Sequence, residues 1–325
     1  MILITGGAGF IGSVIAAFLE TAGHDIAVCD RLGTDERWRN IAKRDLADVI
    51  APEDLPGWLA RHGRHLEGIV HMGAISATTE RDADLIRRTN LALSQELWAV
   101  AGAQSIPFIY ASSAATYGDG SAGFRDGLAA LPALRPMNAY GWSKHAFDRW
   151  VARQLREGRR RPPQWAGLKF FNVYGPNEYH KGPMRSVVHQ ITPKAAAGET
   201  VTLFRSHNPA YPDGGQLRDF VHVKDCAAVV AWLFMRPGVS GLFNLGTGTA
   251  RSFRDLAHAT FAACNRAPDM AFIDMPVEIR DRYQYFTQAD MTALREAGYH
   301  HPFLSLEDGI ADYVRHHLLT DDPYL

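Results

Sequence analysis

Apolar and polar residues follow two patterns, one typical of strands and one of helices, that alternate along much of the chain. Short apolar runs typical of buried strands occur at residues 1–5, 25–30, 68–71, 106–112, 167–171 and 241–245. Apolar positions recur at helical spacing over residues 10–22, 82–103 and 138–155. Strands that alternate with helices form βαβ units, whose parallel sheet is covered by helices on both faces. We therefore predict an α/β fold with a doubly wound parallel sheet.

The pattern changes after residue 172. Turn-forming residues cluster at Gly175-Pro-Asn177 and at residues 208–215, and the helical stretches become shorter. Because the late run at residues 241–245 still has strand character, we expect the chain to return to the first sheet. We predict one unit of residues 1–172 plus about 216–248, and a smaller C-terminal substrate-binding domain of residues 173–215 plus about 249–325.

Composition narrows the class of protein. A net charge of −1 supplies no overall basic field for nucleic acid or an anionic membrane, so neither partner is expected. No apolar run approaches the ~18 residues that a membrane span needs. Cys29, Cys226 and Cys264 are odd in number and lack metal-ligand spacing, which favours reduced thiols in a cytoplasmic protein without a metal site. The basic run at residues 156–161 is interpreted as a solvated loop.

A glycine-rich loop links the first predicted strand to the first predicted helix. The segment Gly7-Ala-Gly9-Phe-Ile-Gly12 has the spacing of the dinucleotide-binding fingerprint in its required context. Its glycines permit a tight turn and a close approach of the backbone to a pyrophosphate, which faces the helix N-terminus. The sequence therefore predicts a Rossmann-type domain that binds a nicotinamide dinucleotide.

The end of the second strand gives a mixed signal about the cofactor. Asp30 can accept hydrogen bonds from both ribose hydroxyls, which favours NAD. Arg31 and Arg37 can hold a 2′-phosphate, which favours NADP. We expect NADP, with NAD as the alternative. Small residues in His71-Met-Gly-Ala74 would let a flat cofactor pass the backbone, and His71 itself is interpreted as structural.

A tyrosine and a lysine share one face of the helix predicted at residues 138–155. Tyr140 and Lys144 are four residues apart and project together, so the lysine charge is expected to lower the phenol pKa from about 10. Lys144 can also hold the nicotinamide ribose. Ser113, with Thr116 as a rival, is the candidate hydroxyl for the substrate oxygen. This set predicts a proton-transfer site beside the cofactor.

A second lysine lies in the turn-rich segment after the last dinucleotide strand. In Asn172-Val-Tyr-Gly-Pro-Asn-Glu-Tyr-His-Lys181-Gly182, Lys181 stands out because the basic residues of this chain are mostly arginine. It is either a surface lysine or a second acid/base group that faces Tyr140 across the substrate.

These motifs resemble a known enzyme group. Extended short-chain dehydrogenases/reductases, which include sugar-nucleotide epimerases and dehydratases, resemble this chain at Thr5-Gly-Gly-Ala-Gly-Phe-Ile-Gly12, Ser112-Ser113, Tyr140-Gly-Trp-Ser-Lys144 and Arg218-Asp-Phe-Val-His-Val-Lys-Asp225. The ADP-L-glycero-D-manno-heptose 6-epimerase family within this group is similar over residues 1 to about 302. Its less generic stretches correspond to Ser76-Ala-Thr-Thr-Glu80, Tyr110-Ala-Ser-Ser-Ala-Ala-Thr-Tyr-Gly118, Phe171-Asn-Val-Tyr-Gly-Pro176, His180-Lys-Gly182 and Arg282-Tyr-Gln-Tyr-Phe-Thr-Gln-Ala-Asp290.

The resemblance implies inversion of C6 in an ADP-activated heptose with a bound NADP, without net redox change. It implies catalytic roles for Tyr140, Lys181, Ser113 and Lys144. It implies cofactor contacts by Gly6, Gly9, Phe10, Ile11, Gly12, Asp30, Arg31, Arg37, Met72, Gly73, Ala74, Ser76, Asn90, Lys144, Val173 and Lys181. It implies substrate contacts by Ser113, Asn172, Phe204, Arg205, Ser206, His207, Arg218 and Tyr283. We expect an ADP-heptose as the small-molecule partner and a homo-oligomer as the assembly.

Two departures and three alternatives accompany this interpretation. Pro183 replaces a common serine after Lys181-Gly182, and the loop at residues 208–217 is longer than in some members of the family. Gln190 also lies near a substrate position. A C4 epimerase of a UDP- or dTDP-hexose would share Tyr140 and Lys144 without needing Lys181. A dehydratase usually has an acidic residue after the serine, where this chain has alanines. A non-catalytic NADP-binding protein would have no need of the tyrosine.

Overall fold

The computed structural model describes residues 1–280 and 283–325. Its strands are β1 Ile2–Thr5, β2 Ile26–Cys29, β3 Leu46–Ile50, β4 Gly68–His71, β5 Phe108–Ser113, β6 Trp165–Phe170, β7 Asn172–Tyr174, β8 Val201–Phe204, β9 Leu217–His222, β10 Gly241–Leu245, β11 Ala250–Ser252 and β12 Met270–Ile273. Its α-helices are α1 Phe10–Thr21, α2 Leu55–His62, α3 Ala83–Ile86, α4 Leu93–Gln104, α5 Ala139–Arg156, α6 Val187–Ala197, α7 Val223–Phe234, α8 Phe253–Ala263, α9 Val277–Arg280, α10 Thr292–Glu296 and α11 Leu306–Tyr313.

A seven-stranded parallel sheet forms the larger layer of the molecule. Its order, β10-β6-β5-β4-β1-β2-β3, confirms the predicted doubly wound sheet and includes the late strand β10. The strand order reverses between β1 and β4, and ligands of such sheets bind at the carboxyl ends of the strands beside this point. The fold therefore places the glycine loop after β1 at the expected ligand-binding edge.

Both faces of the sheet are covered by helices. Within β1, Ile2 and Ile4 are buried in one core with α1 and α7, whereas Leu3 is buried in another with α2, α4 and α5. Successive strand side chains point to opposite faces, so a strand covered on both sides reads as a continuous apolar run. That physical pattern is why the sequence identified β1 as a buried strand.

The structure differs from the predicted elements at two places. The structure contains β3, which the sequence analysis did not identify, because its central residues are exposed at the sheet edge and include polar Asp48. The helix expected at residues 82–103 is instead α3, a π-helical stretch Arg87–Ala92, and α4 in succession. No helix among the described residues is long and apolar enough to span a bilayer.

The later part of the chain builds a smaller layer beside the sheet. Strands β11, β9 and β7 form one small sheet, and β12 pairs with β8 in another. A separate core joins them to α6, α8 and α11 through residues such as Val188, Leu256 and Ile310. Because β7 follows β6 directly, this layer begins at the ligand-binding edge of the large sheet.

Candidate active site

The glycine loop after β1 is closely packed against the end of β4. Gly6 has φ +68, and a Cβ there would lie 2.6 Å from the Gly73 nitrogen. A Cβ on Gly12 would lie 2.2 Å from the Gly6 carbonyl oxygen. Helix α1 then begins at Phe10 without a side-chain cap or an acidic residue in its first turn. The loop and the uncapped helix therefore form a backbone cradle that fits an anionic pyrophosphate.

Asp30 fixes the loop from the end of β2. Its Oδ2 accepts a hydrogen bond from the Ala8 nitrogen at 3.0 Å, and burial raises the pKa of this carboxyl. The Arg37 guanidinium lies 3.8 Å from Asp30 and binds Asp35 through Nε (2.9 Å) and Nη2 (2.5 Å). Arg31 instead pairs with Glu53 at the surface. The structure thus brings Arg37, but not the Arg31 guanidinium, to the Asp30 carboxylate.

The segment after β4 is held by buried polar side chains. His71 contacts the Thr5 hydroxyl (2.6 Å) and the Ser94 hydroxyl (2.9 Å), and burial lowers its pKa to about 3. Both ring nitrogens are therefore used, which confirms a structural His71. Asn90 is buried and pairs with both backbone polar groups of Ile75 at 2.9 and 3.0 Å. Asn90 thereby positions the segment that carries Met72, Gly73, Ala74 and Ser76.

The N-terminus of α5 brings the tyrosine to the serine. Asn138 caps the helix by accepting from the Gly141 nitrogen at 2.8 Å. A Cβ on Gly141 would lie 2.7 Å from the Ala115 carbonyl oxygen, so glycine permits the close approach of α5 to the turn after β5. As a result, Tyr140 and Ser113 interact through their side chains, and Ser113 also accepts from the Ala115 nitrogen at 3.1 Å.

The expected lowering of the tyrosine pKa by the lysine is wrong in this structure. Burial raises the pKa of Tyr140, and the opposing influence comes from a hydrogen bond with Ser113 rather than from Lys144. Burial also lowers the pKa of Lys144 to about 8, against the influence of Asp148. Burial dominates both groups because it disfavours their charged forms. The pKa of Lys144 therefore falls below that of Tyr140, and the two values lie further apart than they would in water.

A buried ion pair lies behind this site and was missed from the sequence. Lys169 and Asp148 are fully buried, with Nζ and Oδ2 2.9 Å apart. Asp148 also accepts from Ser112 at 2.7 Å, and Lys169 donates to Thr116 at 2.6 Å. Thr116, the rival of Ser113, is thus used in this network. Two features of the sequence could have indicated this pair. Lys169 lies within an apolar strand, and Asp148 lies four residues after Lys144 on the same helix.

Lys181 lies on a 3₁₀ segment, Tyr179–Met184, that reaches back to the glycine loop. Its Nζ is 5.1 Å from the centre of the Phe10 ring, at the start of α1. Burial lowers the pKa of Lys181, and Glu178 opposes that shift. Glu178 is fully buried and accepts from the Ser186 nitrogen (2.5 Å) and hydroxyl (2.6 Å). Hydrogen bonds from Ser186 to Glu178 therefore join the two ends of the segment, and Lys181 is directed towards the glycine loop.

A cavity of about 340 Å³ opens beside Lys181. Its lining includes the predicted residues Asn172, Val173 and Lys181, together with Arg185 and Phe253, which sequence reasoning did not assign. A cavity of this size suits part of a small-molecule ligand.

The remaining substrate-side residues gather around a buried guanidinium. Arg218 is 8% exposed, and its guanidinium lies 5.1 Å from the Tyr283 ring and 5.8 Å from the Phe253 ring. Burial lowers the pKa of Arg218, and it forms no ion pair within the described ranges. A buried cation of this kind needs an anionic partner. Arg282, in the motif before Tyr283, lies outside the described residues.

The segment after β8 joins the same region. The His207 nitrogen donates to the Tyr285 hydroxyl at 3.1 Å, and the Tyr285 ring packs edge-on against Tyr283. The predicted group of Phe204, Arg205, Ser206 and His207 is therefore linked through Tyr285 to the Arg218 cluster. Arg205 itself is directed to Asp274 at 3.8 Å.

Known proteins resemble this chain over its full length. A curated ADP-L-glycero-D-manno-heptose-6-epimerase of Nitratidesulfovibrio vulgaris is 48% identical over 329 residues, and one of Fusobacterium nucleatum is 43% identical over 336 residues; each match covers 100% of both chains. The crystal structure of Helicobacter pylori ADP-L-glycero-D-manno-heptose-6-epimerase is 30% identical with a TM-score of 0.81, covering 97% of this chain and 95% of that one.

More distant structures share the architecture. Thermus thermophilus UDP-glucose 4-epimerase, solved in complex with NAD, is 25% identical with a TM-score of 0.73, covering 97% of this chain and 98% of that one. The model of the NAD dependent epimerase/dehydratase family matches residues 2–246, which contain the glycine loop, Tyr140, Lys144 and Lys181. The chain therefore belongs to the NAD dependent epimerase/dehydratase family.

Proposed function

We propose that this protein inverts C6 of ADP-D-glycero-D-manno-heptose to give ADP-L-glycero-D-manno-heptose. The observation that carries the proposal is the pair of titratable groups at the cofactor cradle. Tyr140 reaches Ser113 from α5, whereas Lys181 reaches Phe10 from a separate segment after β7. An inversion needs a proton-transfer group on each face of the reacting carbon. Tyr140 and Lys181 can fill these two roles because they are carried by separate elements of the fold. The relatives named above as heptose epimerases support the substrate.

We propose NADP as the cofactor, with NAD as the alternative. The cradle formed by Gly6, Gly9 and Gly12 fits a pyrophosphate, and Arg37 beside Asp30 fits a 2′-phosphate. Lys144 is buried one helical turn after Tyr140 and would hold the nicotinamide ribose. When bound, this cofactor would supply the hydride acceptor for C6 and the hydride for return to the opposite face.

The residues of the chain supply the accompanying proton transfers. In the first half-reaction, one of Tyr140 and Lys181 takes the proton of the C6 hydroxyl as the C6–H bond breaks, leaving a ketone. In the second half-reaction, the other returns a proton to the ketone oxygen as the new C6–H bond forms. One proton from oxygen and one hydride from carbon leave and return, so the net redox change is zero. Ser113 holds the reacting oxygen, since it already interacts with Tyr140.

The substrate-side cluster would bind the nucleotide half. Arg218 is a suitable partner for the diphosphate because it is buried without a counter-ion in the described ranges. Asn172 lines the cavity beside Lys181, while Tyr283 packs against the Arg218 guanidinium and residues 204–207 are linked to Tyr283 through Tyr285. We further propose the division into residues 1–172 plus about 216–248 and residues 173–215 plus about 249–325, a homo-oligomeric assembly, and a cytoplasmic location.

One incubation tests the proposed function. The purified protein is mixed with ADP-D-glycero-D-manno-heptose without added cofactor, and the product is identified by NMR. We expect the L-glycero epimer, because a recycled cofactor co-purifies with the protein. Failure to convert after NADP has been supplied would contradict the proposal. Parallel incubations with UDP-glucose and dTDP-glucose would then identify a C4 epimerase.

A further inference from the structure

The charged residues that line the cavity beside Lys181 are basic. Lys181 and Arg185 line it, and none of its lining residues within the described ranges is acidic. Arg218 lies behind one wall of the cavity, since its guanidinium is 5.8 Å from the ring of Phe253, which lines the cavity. Basic groups that converge on a concave site without carboxylates favour an anionic ligand.

Arg185 is held in a defined orientation. Its Nε donates to the Gly182 carbonyl oxygen at 2.8 Å, and Gln190 donates from Nε2 to the Arg185 carbonyl oxygen at 2.6 Å. Gln190 also reaches the Pro183 carbonyl oxygen at 3.3 Å. Within the described ranges, the Nη groups of Arg185 make no hydrogen bond and no ion pair. They are therefore available to a ligand in the cavity.

We propose that Arg185 binds the diphosphate of the nucleotide sugar together with Arg218. This inference rests on the proposed function and adds a specificity residue to it. Arg185 can hold Gly182 through Nε and a phosphate through Nη at the same time, because a guanidinium has a planar fork of donors. It thereby replaces the donors that Pro183 cannot supply. A lysine ammonium has its donors on a single nitrogen and lacks this planar fork, so it would match the two acceptors less well.

The contact also links substrate binding to Lys181. Gly182 follows Lys181 directly and has φ +55, a conformation that favours glycine. A diphosphate bound at Nη would hold Arg185, and hence Gly182, in place. Replacement of Arg185 should therefore raise KM strongly and lower kcat less, because the proton-transfer groups remain.

The test measures ADP binding to the NADP-saturated protein by calorimetry, so that ADP cannot enter the cofactor site. We expect Arg185→Ala to weaken ADP binding by about ten-fold or more and to leave adenosine binding unchanged. Arg185→Lys should also weaken ADP binding. Arg266→Ala is the matched control, because Arg266 is an exposed arginine whose Nε likewise donates to a backbone carbonyl, that of Ala196, at 3.1 Å. It should bind ADP as the wild type does.

Several outcomes would contradict the inference. Unchanged ADP affinity in both folded Arg185 variants would remove Arg185 from the diphosphate site, even if the wild type converts ADP-heptose. Equal loss of adenosine and ADP affinity would indicate a structural role instead. If the wild type binds UDP rather than ADP, the proposed substrate is wrong, and the same variants then test Arg185 with UDP. A wild type that binds no nucleoside diphosphate would overturn both proposals.

Discussion

The hydroxyl of Tyr140 can be removed to test its role in catalysis separately from its role in folding. The phenol interacts with the Ser113 side chain, and burial raises the pKa of the phenol. We expect Tyr140→Phe to lower kcat by about 10²–10⁴-fold while the free energy of unfolding changes little, because only one hydroxyl is removed. Epimerisation rates by NMR and urea unfolding check both parts. Near-normal turnover would contradict its catalytic role.

Lys181 offers a complementary test at the residue scale. Lys181→Met keeps a long apolar stem over the Phe10 ring and removes the titratable amine. We expect interconversion to slow strongly, while bound NADP remains detectable by its absorbance after gel filtration. If activity survives with the cofactor in place, Lys181 serves only to shape the loop.

Arg37 is the residue that should distinguish the two cofactors. Its guanidinium lies 3.8 Å from Asp30, where a 2′-phosphate would compete with the carboxylates of Asp30 and Asp35. We expect Arg37→Ala to weaken NADP by about ten-fold and NAD much less, as measured by fluorescence titration. Arg31→Ala is a useful comparison, because Arg31 pairs with exposed Glu53. An equal effect of Arg37→Ala on both cofactors would exclude it from the 2′-phosphate site.

At the scale of elements, the Lys169–Asp148 pair joins the large sheet to the catalytic helix. Lys169 lies in β6 and Asp148 in α5, one turn beyond Lys144. Breaking a buried pair leaves an uncompensated charge, so Lys169→Met should lower the free energy of unfolding by about 3–5 kcal/mol. Urea denaturation measures the loss. The double variant Lys169→Met/Asp148→Asn should recover part of it, and unchanged stability of the single variant would contradict this account.

The segment that carries Lys181 depends on supports from three directions. Glu178 closes its base through Ser186, and His180 lies 3.2 Å from Asn40 beside the glycine loop. The Tyr179 hydroxyl donates to the Pro323 carbonyl oxygen at 2.7 Å. A short irregular segment can position a reactive amine only when its surroundings fix it in this way, since it lacks a regular hydrogen-bond ladder.

At the scale of the whole molecule, acid should destabilise the fold. Burial lowers the pKa of six histidines from 6.5: to about 3 for His71 and His222, to about 4 for His145, His180 and His189, and in the same direction for His317. The unfolded chain therefore binds more protons between about pH 6.5 and 4, and stability is lost as pH falls through this window. Burial raises the pKa of five carboxyls, to about 6 for Asp126 and Asp225 and in the same direction for Asp30, Glu178 and Asp219, which opposes the loss.

Six histidines take up a proton on unfolding and five carboxyls oppose them, so the net effect should be a lower free energy of unfolding at pH 5 than at pH 7. Urea titrations at both pH values measure it. We expect His71→Gln to reduce the difference by about 1.4 kcal/mol per pH unit, because one proton fewer is taken up on unfolding. The exposed His300→Gln serves as control. Equal stability at the two pH values would contradict the assignment of these histidines as buried and neutral.

The sequence by itself determined the features that depend on local pattern. An apolar run, a glycine loop and an amphipathic helix follow one another between residues 1 and 22, so β1, the cradle and α1 could be predicted directly. Tyr140 and Lys144 lie on one helical face because of their spacing alone. The resemblance of the quoted motifs predicted the family, which the comparisons confirmed.

Only the tertiary structure decided the features that depend on distant neighbours. Burial, rather than the Lys144 charge, sets the pKa of Tyr140, and no spacing along the chain reports how deeply a phenol is buried. Lys181 contacts Phe10, although the two residues are far apart in the chain. Arg185 and Phe253 line one cavity, and β9, which carries Arg218, pairs with β7 at its side. Such contacts arise from packing between elements far apart in the chain, which a local pattern does not encode.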